Sequence, residues 1–89
     1  MKLRQIDEGC VAFQCPGCGH DHRLTVNGRR NSNGASWNWN GSLDKPTFTP
    51  SLNVVGYCHS FITDGNIQFL TDSVHHLAGK TVDIPEYEE

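Results

Sequence analysis

Cys15 and Cys18 bracket Pro16-Gly17, and a Cys-His pair, Cys58-His59, follows forty residues after Cys18. This spacing constrains the fold more than any other feature of the chain. A Cys-x-x-Cys turn can present two sulfurs to one metal ion, and Gly17 and Gly19 permit the positive φ that such a turn usually needs. Thiolates joined by a distant Cys or His point to Zn2+. A metal cross-link also answers a problem of size. With 89 residues, of which 36% are hydrophobic, the chain has material for a single zinc-binding domain over residues 1–89 and only a marginal core.

Four cysteines could instead supply two disulfides. The first residues, Met1-Lys2-Leu3-Arg4-Gln5-Ile6-Asp7, contain no apolar run resembling a signal peptide, and no segment approaches a membrane span. The expected setting is therefore the cytoplasm, where thiols beside histidines read as metal ligands. The net charge is −3, and Arg29-Arg30 is the only adjacent cationic pair. Without a basic footprint, nucleic-acid binding is the weaker expectation, although Trp37 and Trp39 could stack on bases.

Patterning along the chain predicts a mostly β fold: a small, zinc-ribbon-like antiparallel sheet with one short helix. Cys10–Gln14 runs into the Cys-x-x-Cys turn, and Arg23–Val26 alternates polar and apolar after it, giving strand, metal turn, strand. The Asn- and Gly-rich stretch from Asn27 to Gly34 reads as a loop. Ser36–Asn40 alternates again, with both tryptophans on one face, while Pro46–Pro50 reads as an edge strand or extended loop. The clearest element is a hairpin, Tyr57–Thr63 with Asn66–Leu70, closed by Asp64-Gly65, a favoured type I′ dipeptide. That turn pairs Thr63 with Asn66, Ile62 with Ile67, Phe61 with Gln68, Ser60 with Phe69 and His59 with Leu70. Asp72-Ser73 can cap a short helix over Val74–Ala78, stopped by Gly79, before a last strand over Thr81–Ile84.

Cys15 and Cys18 are the leading metal ligands and Cys58 the natural third, with Cys10 read as a small buried hydrophobe. The fourth ligand stays open. Neighbours on a regular strand point to opposite faces, so Cys58 and His59 reach one ion together only across a bulge, and His22 and His20 are rivals. A second constellation, His59, Asp72 and His75, could converge for proton transfer or metal binding; the alternative makes Asp72 a helix cap and leaves His75 and His76 partly exposed. Ser51 carries a hydroxyl but no sequence-adjacent base, and serves equally well as a site-lining group or a simple turn serine.

Several blocks together carry a resemblance: Phe13–Cys18 with His22, Trp37–Gly41, Pro46–Ser51, Cys58–Leu70 and Asp72–Val82. In these the chain resembles a small phage and prophage family, often mislabelled "ammonia monooxygenase", whose larger relatives are similar to zinc-dependent peptidases of bacterial ubiquitin-like conjugation operons. The resemblance implies that Cys15, Cys18 and Cys58 hold zinc, with His59 as fourth ligand or catalytic neighbour. Asp72 and His75 belong to the phage pattern. The expectation is a phage-derived zinc peptidase or hydrolase acting on a ubiquitin-like tail, in which zinc activates water and His59, Asp72 or His75 moves the proton. The alternative is a non-catalytic zinc-ribbon adaptor that binds a host or phage protein. Four protein ligands would favour the adaptor, and three ligands plus water the enzyme.

Overall fold

A computed structural model describes residues 1–54 and 56–88. Among the described residues, the short runs of alternating apolar residues become eight strands in two antiparallel sheets. Strands β1 (Arg4–Asp7), β2 (Cys10–Gln14) and β3 (Asp21–Thr25) form the first sheet in the order β1-β2-β3. The second contains β4 (Asn38–Trp39), β5 (Phe48–Val54), β6 (Cys58–Thr63), β7 (Asn66–Phe69) and β8 (Thr81–Asp83), each beside its neighbour in sequence. Val11, Phe13 and Leu24 from the first sheet and Phe48, Leu52, Ile62, Ile67 and Phe69 from the second share one buried cluster. Removing these side chains from water supplies the main drive for the two sheets to associate.

The Asp64-Gly65 hairpin forms in the expected register, with Thr63 opposite Asn66, Ile62 opposite Ile67, Phe61 opposite Gln68 and Ser60 opposite Phe69. Asp64 and Gly65 both take positive φ, 49° and 81°, as a type I′ turn requires. At the open end, Leu70 N donates to His59 O at 2.8 Å. Alternation then sorts β6 cleanly: Cys58, Ser60 and Ile62 are buried, while Phe61 and Thr63 are exposed and His59 is half-buried.

The other elements depart from the sequence expectation in instructive ways. Pro46–Pro50 is neither a plain edge strand nor a loop: β5 begins at Phe48 and runs on to Val54, flanked by β4 only at Phe48 and Thr49 and by β6 on its other side. The sheet accommodates Pro50 by an irregularity: Phe48 pairs with Ile62, and the next pair is Leu52 with Ser60, so three residues of β5 arch past a single residue of β6. The tryptophan stretch pairs only over Asn38–Trp39; Trp37 N bonds instead to Thr25 O of the first sheet at 2.9 Å. The short helix over Val74–Ala78 is absent, and no helix occurs among the described residues. The backbone donors that would start it are drawn elsewhere, Ser73 N to Leu70 O at 3.1 Å and Val74 N to Tyr57 O at 3.0 Å. Five residues cannot offset that loss, because the first helical turn is the costly one.

Candidate functional site

The metal candidates are assembled by three strands. Cys15 follows the end of β2, and the turn that carries Cys18 is closed by Gly19 N to Cys15 O and Cys15 N to His20 O, both at 3.0 Å. β3 then returns with His22, which stands opposite Phe13 on β2 and packs against its ring at a centroid distance of 5.4 Å. β6 contributes Cys58 at its first residue. One ligand atom from each of Cys15, Cys18, His22 and Cys58 lies within 4.8 Å of the other three, and all but Cys18 are buried. The chemistry of this set fits a bound cation. His22 Nε2 is buried with no hydrogen-bond partner among the described residues, and burial lowers the pKa of the ring to about 4, so it is a neutral donor at ordinary pH. Burial also pushes the Cys15 and Cys58 thiols up, with the neighbouring thiols adding to the effect at Cys58. A divalent cation at this point would reverse the thiol preference and satisfy the orphaned nitrogen.

His59 is adjacent to Cys58 but stands apart from this cluster. Strand alternation sends its ring to the opposite face of β6, where Nε2 lies 3.0 Å from Ser51 Oγ and Nδ1 lies 3.1 Å from Asp72 Oδ2. Ser51 reaches it because Asn53 of β5 stands opposite His59, and residues two apart on a strand share a face. Two further groups fix the arrangement. Ser73, itself buried, accepts from His59 N at 3.0 Å and donates to His59 O at 3.1 Å. Trp37 Nε1 donates to Ser51 O at 3.3 Å. With Nδ1 carrying its proton toward the carboxylate, the Nε2 lone pair faces the Ser51 hydroxyl, which is the arrangement needed to take a proton from an attacking serine. The group is open to solvent, since the His59 side chain is 25% exposed and that of Asp72 65%.

The remaining histidines separate in space. His75 sits on the metal side, with Nε2 3.6 Å from Cys58 Sγ, the ring edge-on to Phe69 at 4.4 Å, and Nδ1 accepting from Leu77 N at 3.3 Å. Gly17 makes room for it, because a Cβ there would stand 2.3 Å from His75 Cε1. His20 is exposed beside Asp21 O, and Cys10 lies outside the cluster with Sγ directed to Val11 O. Of the proton-transfer candidates, His59 and Asp72 meet each other, and Ser51 joins them. Sequence reasoning had the hairpin register but no pairing of β5 with β6, and that pairing is what brings a base to Ser51.

Residues 2–70 match a family model described as bacterial ubiquitination-like system serine protease (BubE), so the chain belongs to that family. The match takes in Ser51, His59 and all four members of the metal cluster, and it ends two residues before Asp72. No curated protein and no solved structure matches the chain. No helix among the described residues is long and apolar enough to cross a membrane.

Proposed function

Starting from membership of a family described as serine proteases, we propose that this chain is a serine peptidase whose nucleophile is Ser51, with His59 as general base and Asp72 as the group that orients His59. The observation that carries this reading is the linear contact from Ser51 Oγ to His59 Nε2 at 3.0 Å and from His59 Nδ1 to Asp72 Oδ2 at 3.1 Å. In the first half-reaction Ser51 Oγ attacks the substrate carbonyl carbon while His59 Nε2 takes the hydroxyl proton. The tetrahedral adduct collapses to an acyl ester on Ser51, and His59 gives the proton to the departing amine or alcohol. Water then repeats the sequence, with His59 again accepting the proton, and releases the carboxylic acid and free serine. The family description supports a substrate drawn from a ubiquitin-like conjugation system, with the acyl bond at the tail of the ubiquitin-like protein as the natural candidate.

The metal cluster has a different part in this proposal. Cys15, Cys18, His22 and Cys58 would hold zinc as a ribbon-type knuckle, and zinc there would supply folding free energy and fix the start of β6. Four protein ligands leave a tetrahedral ion no position for a reactive water, which favours a serine nucleophile over a zinc-activated one. His75, with Nδ1 accepting from Leu77 N, would present Nε2–H to the Cys58 sulfur, a hydrogen bond of the kind that orients metal ligands.

Labelling with a fluorophosphonate probe tests the reading. The expected result is one covalent adduct on Ser51, absent in Ser51→Ala and strongly slowed in His59→Ala. Hydrolysis of a ubiquitin-like precursor that persists in Ser51→Ala would overturn it.

A further inference from the structure

Beyond Thr49, β5 loses its partner on one side. β4 pairs only with Phe48 and Thr49, so over Leu52–Val54 the ladder continues with β6 alone. Backbone polar groups of an antiparallel strand alternate between its two edges. Two contacts fix the phase of that alternation. The Ser51 carbonyl is turned toward Trp37 Nε1, away from β6, and the Val54 carbonyl accepts from Tyr57 N at 2.9 Å on the β6 side. Asn53 is in phase with Ser51, so its N–H and C=O point to the uncovered edge. Among the described residues no other backbone group reaches them there.

These groups open into a cleft of about 570 Å³ between β5 and the loop from Arg30 to Trp37, with Ser51 in its wall. Gly34, Ala35 and Ser36 keep the opposite wall low, which suits a main chain better than a bulky side chain. Among the described residues, Arg30 is the one charged residue lining the cleft. Its neighbour Arg29 is held by Asp7 at 2.6 Å, whereas Arg30 has no ion-pair partner among the described residues. Its Nη1 is tethered to Gly34 O at 2.8 Å, and the other guanidinium N–H groups have no acceptor among the described residues.

We propose that the cleft takes the substrate's main chain as a strand added to the Asn53 edge, and that Arg30 reads a carboxylate on that segment. The substrate class is then an extended, acidic peptide segment, with main-chain pairing supplying affinity and Arg30 supplying selectivity. That this segment carries the bond to be cut rests on the serine-peptidase reading; its binding does not.

The test uses Ser51→Ala protein and capped Gly/Ala peptides in which a single Asp is scanned against Asn. Binding is followed by tryptophan fluorescence, and the Asn53 amide by hydrogen exchange. One Asp peptide is expected to bind about ten-fold tighter than its Asn twin, as a charge-assisted hydrogen bond would give. Adding Arg30→Gln should erase the difference, and bound peptide should slow exchange at Asn53. Equal affinity within every pair, a preference that survives Arg30→Gln, or unchanged Asn53 exchange would each overturn the proposal. The two readings fail separately. Absent fluorophosphonate labelling removes the peptidase and leaves the binding result standing, while normal labelling without an Asp preference removes only the acidic cleft.

Discussion

Cys58 and His59 are consecutive residues with opposite surroundings, and the contrast between the two sides of β6 explains the division of labour in this molecule. On one side Cys58 is buried with Cys15, Cys18 and His22, in a set of ligand atoms within 4.8 Å of one another and an imidazole nitrogen that nothing else satisfies. On the other, His59 contacts Ser51 and Asp72 at a surface that solvent can reach. A buried polar cluster must be closed by a ligand or it destabilises the fold. An exposed hydrogen-bonded one can be lost at little cost to folding and at great cost to chemistry. On the reading proposed above, the same strand anchors a site that holds the protein together and a site that acts.

That contrast can be broken at either side, and the largest effect belongs to the metal side. Cys58→Ser, Cys15→Ser or prolonged chelation is expected to unfold the protein, since a structural zinc contributes on the order of 10 kcal/mol. Circular dichroism and amide dispersion would report it, and a fully folded, chelator-treated protein would refute the structural assignment. Next comes Ser51→Ala, which should lower turnover by about a thousand-fold or more while leaving the melting temperature in place. A matched fall in stability would mean that the two sides are not separable.

Asp72→Asn sharpens the comparison further. Because Asp72 is 65% exposed, solvent shares in stabilising the His59 imidazolium, and the expected loss in kcat is only about 10- to 100-fold. Ser73→Ala lies between the two sides, because Ser73 clamps the His59 backbone from a buried position; about 1–2 kcal/mol of stability should go with it, measured by urea unfolding. The last test varies pH, and it bears on the metal side again. Burial depresses His22, so the unfolded chain binds the proton more readily than the folded one. Its contribution to stability is complete above the ordinary value of 6.5 and lost as the pH falls toward about 4. The urea midpoint should decline across that window, and a flat profile would remove His22 from the buried set.

The parts of this architecture that the sequence revealed were local. The Cys-x-x-Cys turn and the Asp64-Gly65 hairpin are written in a few adjacent residues, because turn geometry restricts which side chains and which φ values are allowed. The constraint that Cys58 and His59 diverge follows equally from strand alternation. Three things were not legible. Val74–Ala78 carried a cap and a stop, but the fate of its backbone donors depended on Tyr57 and Leu70, which local propensity does not see. Ser51 carried no motif of its own, and its partner is supplied by an irregular β5–β6 register in which Pro50 sits within the arched stretch. His22 was one of several candidates for the fourth ligand, and what singles it out is its place on β3 opposite Phe13 of β2, which buries the ring with a ligand atom within 4.8 Å of those of the three cysteines.

The divergence at Cys58-His59 also limits how such a chain can change over generations. Inserting or deleting a single residue within β6 would exchange the two faces from that point onward. Between Cys58 and His59 it would put thiol and imidazole out of step with each other, and after His59 it would turn the buried Ser60 and Ile62 outward unless the first two residues gave up their sides. Substitutions can therefore accumulate along the outer face of β6, at positions such as Phe61 and Thr63, but changes of length must be absorbed before Cys58, in the connection from β5, or after Thr63, beyond the strand. A lineage of such proteins would then vary most in that connection, while the step between the two residues stays fixed.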